Sequence, residues 1–318
     1  NLNKYKIYEN SAWIEIKNLD PDDLQEIFLA YKNSCTNLIY KNTNKAYKNV
    51  CAKAKKEKIR NSIDIIKFLS KNFSLQKITK SKRGIMTGYY EPEVKASRIY
   101  VKGFYPLYKR NTDDFSDTIF NKSRKEINTG ALENKGLEIA WVESEIEAFF
   151  LHIQGSGRLK LENGEVIKVR YSGNNNKKYT SIGKYLLEEG AIRKENMSMF
   201  SIKNWLKKNK KEARKVMEIN ERYIFFEEYK GNVKGGSNED LIPEKSIAVD
   251  PKFHRAGSIF LIKKNNNNKE KSLAISHDTG AAIKGKGRID LFLGFGKEAE
   301  KIAATLHEEI ELWKLLPK

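Results

Sequence analysis

Cysteine is nearly absent from this chain: Cys35 and Cys51 are the whole complement in 318 residues. Two thiols are too few for a zinc module, and neither stands in a CxxC pair. Histidine does not make up the deficit, because His152, His254, His277 and His307 are scattered along the sequence. No metal centre is therefore expected. Both cysteines fall in helical patterns. They read most simply as two buried thiols, with a single disulfide as the alternative in an oxidising compartment. Long apolar runs are missing as well, so no segment reads as a membrane-spanning helix. The opening stretch, NLNKYKIYENSAWIEIK, is polar and lacks the apolar core of a signal peptide.

What the chain has in excess is positive charge. Lys and Arg number 60 against 41 Asp and Glu, a formal net charge of +19, with a pI near 9.5 and a mean hydropathy of −0.65. Such a surface suits polyanions. The lysines, however, are spread through almost every segment, as in NKAYKNVCAKAKKEKIRNSI, whereas a nucleic-acid face concentrates them. No nucleic-acid partner is expected. The composition, 39% hydrophobic and 32% charged, is that of a globular protein.

Three zones follow one another. Asp20-Pro21 offers a helix cap and a first-turn proline. Leu24, Ile27, Phe28, Tyr31, Cys35 and Leu38 then recur at helical spacing, and further helices are expected over Ala46–Lys58 and Ser62–Lys71. From Gly84 the texture becomes strands and turns. The stretch from Glu138 to Gly173, which includes EIEAFFLHIQ, reads in the same alternating way, with Glu162-Asn163-Gly164-Glu165 as a hairpin turn. A short helix capped by Ser181 and stopped by Gly190 comes next, then two more across Ser201–Glu218. Strand texture returns from Tyr223, with Lys263–Lys271 as a solvated hairpin tip. The last segment, GKEAEKIAATLHEEIELW, carries Ile302, Leu306, Ile310 and Trp313 as a helical apolar stripe.

Three segments are too rich in Gly and polar residues for ordinary strands: Thr87–Pro92 (TGYYEP), Gln154–Gly157 (QGSG) and Asp278–Asp290 (DTGAAIKGKGRID). QGSG, beside apolar strands, would expose backbone N–H groups to a ligand. None of the three fits a nucleotide motif: GSG lacks GxGxxG and its strand–helix setting, and GAAIKGKG lacks the Walker spacing. DTG occurs once, whereas an aspartic protease needs two such loops.

In this order, TGYYEP, YPLYKR, IQGSGR, YTSIGKYL, SIAVDP and DTGAAIKGKGRIDLFLGFG resemble the membrane-bound lytic murein transglycosylase A family. The last block also resembles its C-terminal 3D domain. The likeness implies a mainly β fold with flanking helices. A double-psi β-barrel domain would be built from residues 1–98 and 240–318, with a smaller β-rich domain inserted over 99–239 and a substrate groove between them. It implies an enzyme that cuts the β-1,4 bond between N-acetylmuramic acid and N-acetylglucosamine in peptidoglycan without water, leaving 1,6-anhydromuramic acid. The partners it implies are glycan strands and, beyond them, proteins of cell-wall synthesis or remodelling. The setting it implies is the periplasm, with an outer-membrane anchor in the full-length precursor. No cofactor is implied.

The resemblance makes Asp290 the single acid/base and gives Asp278 a supporting catalytic role. Thr87, Gly88, Tyr89, Gln154, Ser156, Thr279, Lys284 and Arg288 become the substrate contacts. Tyr89 would offer a stacking face, and Asp250 would fix a turn. Glu91 is not assigned a catalytic role. Two other readings stay open: a peptidoglycan or polyanion binding module that does not turn over, and a hydrolase on the same fold.

Overall fold

The computed structural model describes residues 11–41, 44–79, 84–111, 116–265 and 270–318. The first ten residues, the side chain of Leu38 and the tip of the Lys263–Lys271 hairpin (266–269) lie outside the described residues. In chain order, helices α1 (Pro21–Lys41), α2 (Lys45–Lys56) and α3 (Ser62–Asn72) lead into β1 (Phe73–Lys77), β2 (Gly84–Glu91), β3 (Glu93–Ser97) and β4 (Tyr105–Tyr108). Then come α4 (Asp117–Phe120), α5 (Arg124–Asn128), β5 (Glu138–Val142), α6 (Glu145–Gln154), β6 (Ser156–Lys160) and β7 (Val166–Asn174). Next are α7 (Ile182–Glu188), α8 (Met199–Lys208), α9 (Lys210–Ile219) and β8 (Ile224–Glu228). The series ends with β9 (Ser246–Val249), β10 (Ile259–Lys264), β11 (Lys271–Thr279), β12 (Arg288–Phe295), α10 (Gly296–Thr305) and β13 (His307–Pro317). The chain divides into two units. The first holds residues 1–89, 234–294 and 306–318, and the second holds 90–233 and 295–305.

In the first unit the sheet order is β1-β13-β10-β11-β9-β12-β2, and β13 also pairs with β2. That extra pairing closes six strands into a barrel and leaves β1 as an outer attachment to β13. Alternation along each strand separates two cores. Met86, Ile247, Val249, Phe260, Ile262, Ala274, Ile289, Ile310 and Leu312 fill the barrel. Their neighbours Ile259, Leu261, Leu273, Ile275, Trp313 and Leu315 point outward and are covered by the N-terminal helices. Both faces are therefore buried over Ile259–Ile262 of β10 and 312–315 of β13, where apolar residues stand on both sides of the strand.

That double burial explains one correction. The helical stripe expected through Ile302, Leu306, Ile310 and Trp313 is not formed. The helix stops at Thr305, and His307–Pro317 is a strand in register with β1, β10 and β2. Ile302 is 47% exposed, whereas Ile310 faces the barrel interior and Trp313 the helices. Apolar residues on both faces of a buried strand can mimic a 3.6-residue period over a short window.

A second correction concerns the cysteines. Cys35 of α1 and Cys51 of α2 are joined by a disulfide, with their Cα atoms 5.2 Å apart. The two helices pack together, and this brings residues 16 positions apart into bonding range.

In the second unit a six-stranded sheet runs β4-β5-β3-β6-β7-β8. The Asn163-Gly164 turn joins β6 to β7, with Gly164 at φ 85°. EIEAFFLHIQ, expected to be strand, is helix α6. Ser144 accepts the Glu147 N–H at its start, and Gly155, at φ 79°, ends it. The Ser144-x-x-Glu147 spacing was the available signal. The helices expected around Ser181 and across 201–218 form as α7, α8 and α9.

Candidate active site

The barrel strands β2, β12, β9 and β11 are neighbours, and their outward faces carry the chemistry. On β2, Ile85, Thr87 and Tyr89 alternate with buried Met86 and Gly88. On β12, Arg288, Asp290 and Phe292 share the outward face, while Ile289 turns into the barrel. Ala248 of β9 is in register with Asp290 on one side and with Asp278 of β11 on the other.

Asp278 reaches that position through a bulge. Ser276 pairs with Ile247 and Asp278 with Ala248, so His277 is the extra residue. Ile275 faces outward, and in a regular strand His277 would be the next residue to do so. The bulge lets His277 and Asp278 both face outward. His277 is 2% exposed and held at both ring nitrogens, 2.9 Å from Ser34 Oγ of α1 and 2.9 Å from Ser246 Oγ of β9. Burial keeps it neutral, with a pKa pushed down to about 4.

Both carboxylates sit in built surroundings. Asp290 Oδ1 accepts the Thr87 hydroxyl at 2.6 Å, and Thr87 Oγ1 accepts from Arg288 Nη2 at 2.8 Å. The other Asp290 oxygen accepts no hydrogen bond among the described residues and is left for a ligand. Burial raises the Asp290 pKa to about 6, helped by the nearby Asp278 charge and opposed by Thr87 and Arg288. Asp278 is more fully bonded. Oδ1 accepts the Gly236 and Thr279 N–H groups, each at 2.8 Å, and Oδ2 accepts the Tyr89 hydroxyl at 2.7 Å. Burial raises its pKa too, against those donors. Tyr89, beside Phe292 at 5.3 Å between ring centres, is raised well above the usual phenol range by burial first and by both carboxylates after it. It stays protonated and donates to Asp278. One surface thus carries a carboxyl poised near neutrality beside a carboxylate locked by donors, an arrangement suited to proton transfer.

The other expected contacts fall as follows. Gly88 packs beneath the site, where a Cβ would come within 2.5 Å of Leu293 Cδ1, so its lack of a side chain serves packing. Thr279 is exposed at the end of β11, and Lys284 is exposed on the loop after it. Asp250 fixes that loop, accepting the Lys252 N–H at 3.1 Å and the Gly285 N–H at 2.8 Å. Gln154 and Ser156 belong to the second unit. Gln154 Oε1 accepts the Tyr90 N–H at 3.4 Å. The backbone of QGSG is engaged: Gly155 N–H bonds Leu151, and Ser156 and Gly157 pair with β7. Gly157 is small because a Cβ would come within 2.1 Å of Leu151 Cδ2. The free N–H groups expected there are thus spent on a helix stop and a strand. TGYYE likewise is regular strand. Glu91, 3% exposed, accepts the Tyr229 hydroxyl at 2.7 Å. Sequence reasoning missed Gly236, His277 and Ser34; the Gly235-Gly236 pair was the one visible signal. Among the described residues no three His, Cys, Asp or Glu side chains gather as a metal site.

Two family models match this chain. The one described as the MltA specific insert domain spans residues 85–227, and the one described as the 3D domain spans 245–316. A membrane-bound lytic murein transglycosylase A homolog from Buchnera aphidicola is 35% identical over 264 residues, 79% of this chain and 71% of the relative. The chain belongs to the membrane-bound lytic murein transglycosylase A family. The Vibrio cholerae member is 31% identical over 73% of this chain and 65% of its own length. Among solved structures, a membrane-bound lytic murein transglycosylase from Agrobacterium tumefaciens superposes with a TM-score of 0.82 at 26% identity, covering 93% of each chain. The Escherichia coli MltA with bound chitohexaose gives a TM-score of 0.74 at 26% identity, covering 93% of this chain and 89% of that one. The mainly β fold with a closed six-strand barrel and a second sheet is that of the family.

Proposed function

We propose that this chain is a lytic transglycosylase that cleaves the β-1,4 bond between N-acetylmuramic acid and N-acetylglucosamine in peptidoglycan, with Asp290 as its single acid/base. The observation that carries the reading is the state of Asp290: a carboxyl raised to about 6, with one oxygen bonded to Thr87 and the other unclaimed. Protonated Asp290 gives its proton to the glycosidic oxygen as the bond to the muramic acid C1 breaks. The resulting carboxylate takes the proton of that sugar's 6-hydroxyl, whose oxygen attacks C1 and closes the 1,6-anhydro ring. The attacking hydroxyl is already part of the substrate, so proximity replaces a water and its activating base. Asp278 remains the fixed negative neighbour that adds to the rise burial gives the Asp290 pKa. An ordinary glycosidase uses two carboxylates that both act on the reacting groups; here one of the two is already saturated by Gly236, Thr279 and Tyr89.

The chitohexaose held by the E. coli relative supports a glycan strand as substrate. Thr87, Tyr89 and Arg288 surround Asp290 and would meet the sugar beside it, with Lys284, Thr279, Gln154 and Ser156 as further contacts. The Cys35–Cys51 disulfide favours an oxidising compartment, which suits the periplasm. The test is mass spectrometry of purified murein after incubation with the protein and with Asp290→Asn. Fragments one water lighter than hydrolysis products, absent with the variant, support the reading. Full-mass reducing ends would make the chain a hydrolase, and tight binding without products would make it a binding module.

A further inference from the structure

The second unit contains a cavity of about 490 Å³, and none of the residues around Asp290 line it. Arg124 and His152 are the most buried polar residues lining it, at 3% and 6% exposure. The Arg124 guanidinium lies over the rings of Phe149, at 4.8 Å, and Tyr223, at 5.2 Å. It donates to the carbonyls of Asn220 and Arg222 and to His152 Nδ1. No carboxylate forms an ion pair with it among the described residues. Glu145, also on the lining, and Glu218 act on it only at a distance; a buried cation with no carboxylate in contact is costly to hold, and burial pulls its pKa down to about 10. Because a guanidinium only donates, His152 Nδ1 must accept, which places the ring proton on Nε2. That N–H has no acceptor. The floor therefore presents a positive charge and an unused donor.

The mouth has the opposite character. Glu133 is exposed and Glu138 half-buried, and neither side chain makes an ion pair or hydrogen bond among the described residues. In a chain with 60 Lys and Arg, not one lysine lines this cavity. Tyr100, Phe104 and Trp141 supply ring surface near the opening. Aromatic faces beside a carboxylate make a site for an ammonium group.

We propose that this cavity binds a short zwitterionic peptide, its carboxylate on Arg124 and His152 Nε2–H and its ammonium between Glu133, Glu138 and the aromatic walls. A neutral sugar would use the rings but bring Arg124 no carboxylate in direct contact, whereas a peptide answers both ends. If the chain acts on murein as proposed above, the natural source is a stem peptide freed from its lactyl group, since the N-terminus of an attached stem is an amide and carries no ammonium; the binding chemistry stands without it.

Calorimetric titration of the whole chain tests this with trialanine, N-acetyl-trialanine, trialanine amide and chitotriose. Trialanine should bind, and each capped form should bind about tenfold more weakly, the scale of one lost charge-assisted contact. The double variant Glu133→Gln/Glu138→Gln should weaken trialanine by a similar factor while leaving the weak N-acetyl-trialanine binding and murein turnover unchanged. Both positions are open to solvent, so this variant tests the site without disturbing the buried floor. No heat with trialanine, or equal affinity for all three peptides, overturns the proposal. Chitotriose binding that the double variant weakens would make the cavity a saccharide site and overturn it too. Turnover of murein is read separately, so failure here and failure of the proposed activity are distinguishable.

Discussion

Asp278 and Asp290 stand on one rung of the barrel, each in register with Ala248 of the strand between them. With strands about 4.8 Å apart, their backbones are about 10 Å apart, and the residue between them carries only a methyl group. The pair can influence each other's charge while only Asp290 keeps an oxygen free.

The pH dependence of turnover should follow from this. Asp290 acts as an acid only while protonated, so activity should fall as pH rises through about 6. Asp278→Asn removes a negative neighbour that raises Asp290, and the falling limb should move to lower pH. Thr87→Val and Arg288→Met remove groups that favour the charged form, so in them it should move to higher pH. Profiles of kcat/KM against pH for the three variants read the shifts. Movement in the same direction for all three would break the assignment.

Asp290→Asn should lose turnover by about a thousandfold or more, the usual scale for removing a catalytic acid, yet gain stability. In the folded chain the carboxyl titrates near 6, above its value of about 3.9 when unfolded. The folded form then holds the proton more tightly, so the contribution of this carboxyl to stability is greatest below pH 4 and is lost as pH rises through 6. The variant should melt higher than the parent at pH 7.5, by an amount worth at most about 3 kcal/mol. The difference should vanish near pH 4, and thermal melts across that range measure it.

Gly235→Ala should damage the site without touching a carboxylate. A Cβ there would lie 2.2 Å from the His277 carbonyl oxygen, a backbone atom that cannot swing aside. The segment must shift, and with it the Gly236 N–H that holds Asp278. A loss of about 1–3 kcal/mol in stability and a fall in kcat are expected, measured by chemical denaturation and murein digestion.

Reduction of the disulfide should weaken the first unit by about 3 kcal/mol, the loop-closure value for a span of this length. Ser34, next to Cys35, bonds His277. Loosened helices should therefore lower turnover before the barrel unfolds. Melts and digestion with and without reductant, beside Cys35→Ser/Cys51→Ser, test both effects.

Much of this architecture was legible in the sequence, and its failures have physical causes. Capped helices such as the one after Ser181, and the Asn163-Gly164 turn, are written in local chemistry and were read correctly. His307–Pro317 was misread because burial on both faces erases the period-two signal. EIEAFFLHIQ was misread because its apolar density hid a start marked only by Ser144 and Glu147. At the site, the ordered motifs picked out Thr87, Tyr89, Asp278, Arg288 and Asp290, which the structure joins in one patch. The His277 bulge, the Ser34 contact and the Gly236 donor depend on pairings across 243 and 42 positions of chain, and no local pattern encodes them.

The closing strand also sets an order of events. Thr87 on β2 stands opposite His307 on β13, and the whole second sheet lies between them in sequence. The local hairpins β10–β11 and β6–β7 have little loop entropy to overcome, whereas joining β2 to β13 is a late, non-local step. A polypeptide truncated before His307 would carry both aspartates and every glycine of the motif, yet it would have an unclosed sheet with bare edges. An intermediate that lacks this strand would hold the four strands of the site in a sheet left open at β2 and β10.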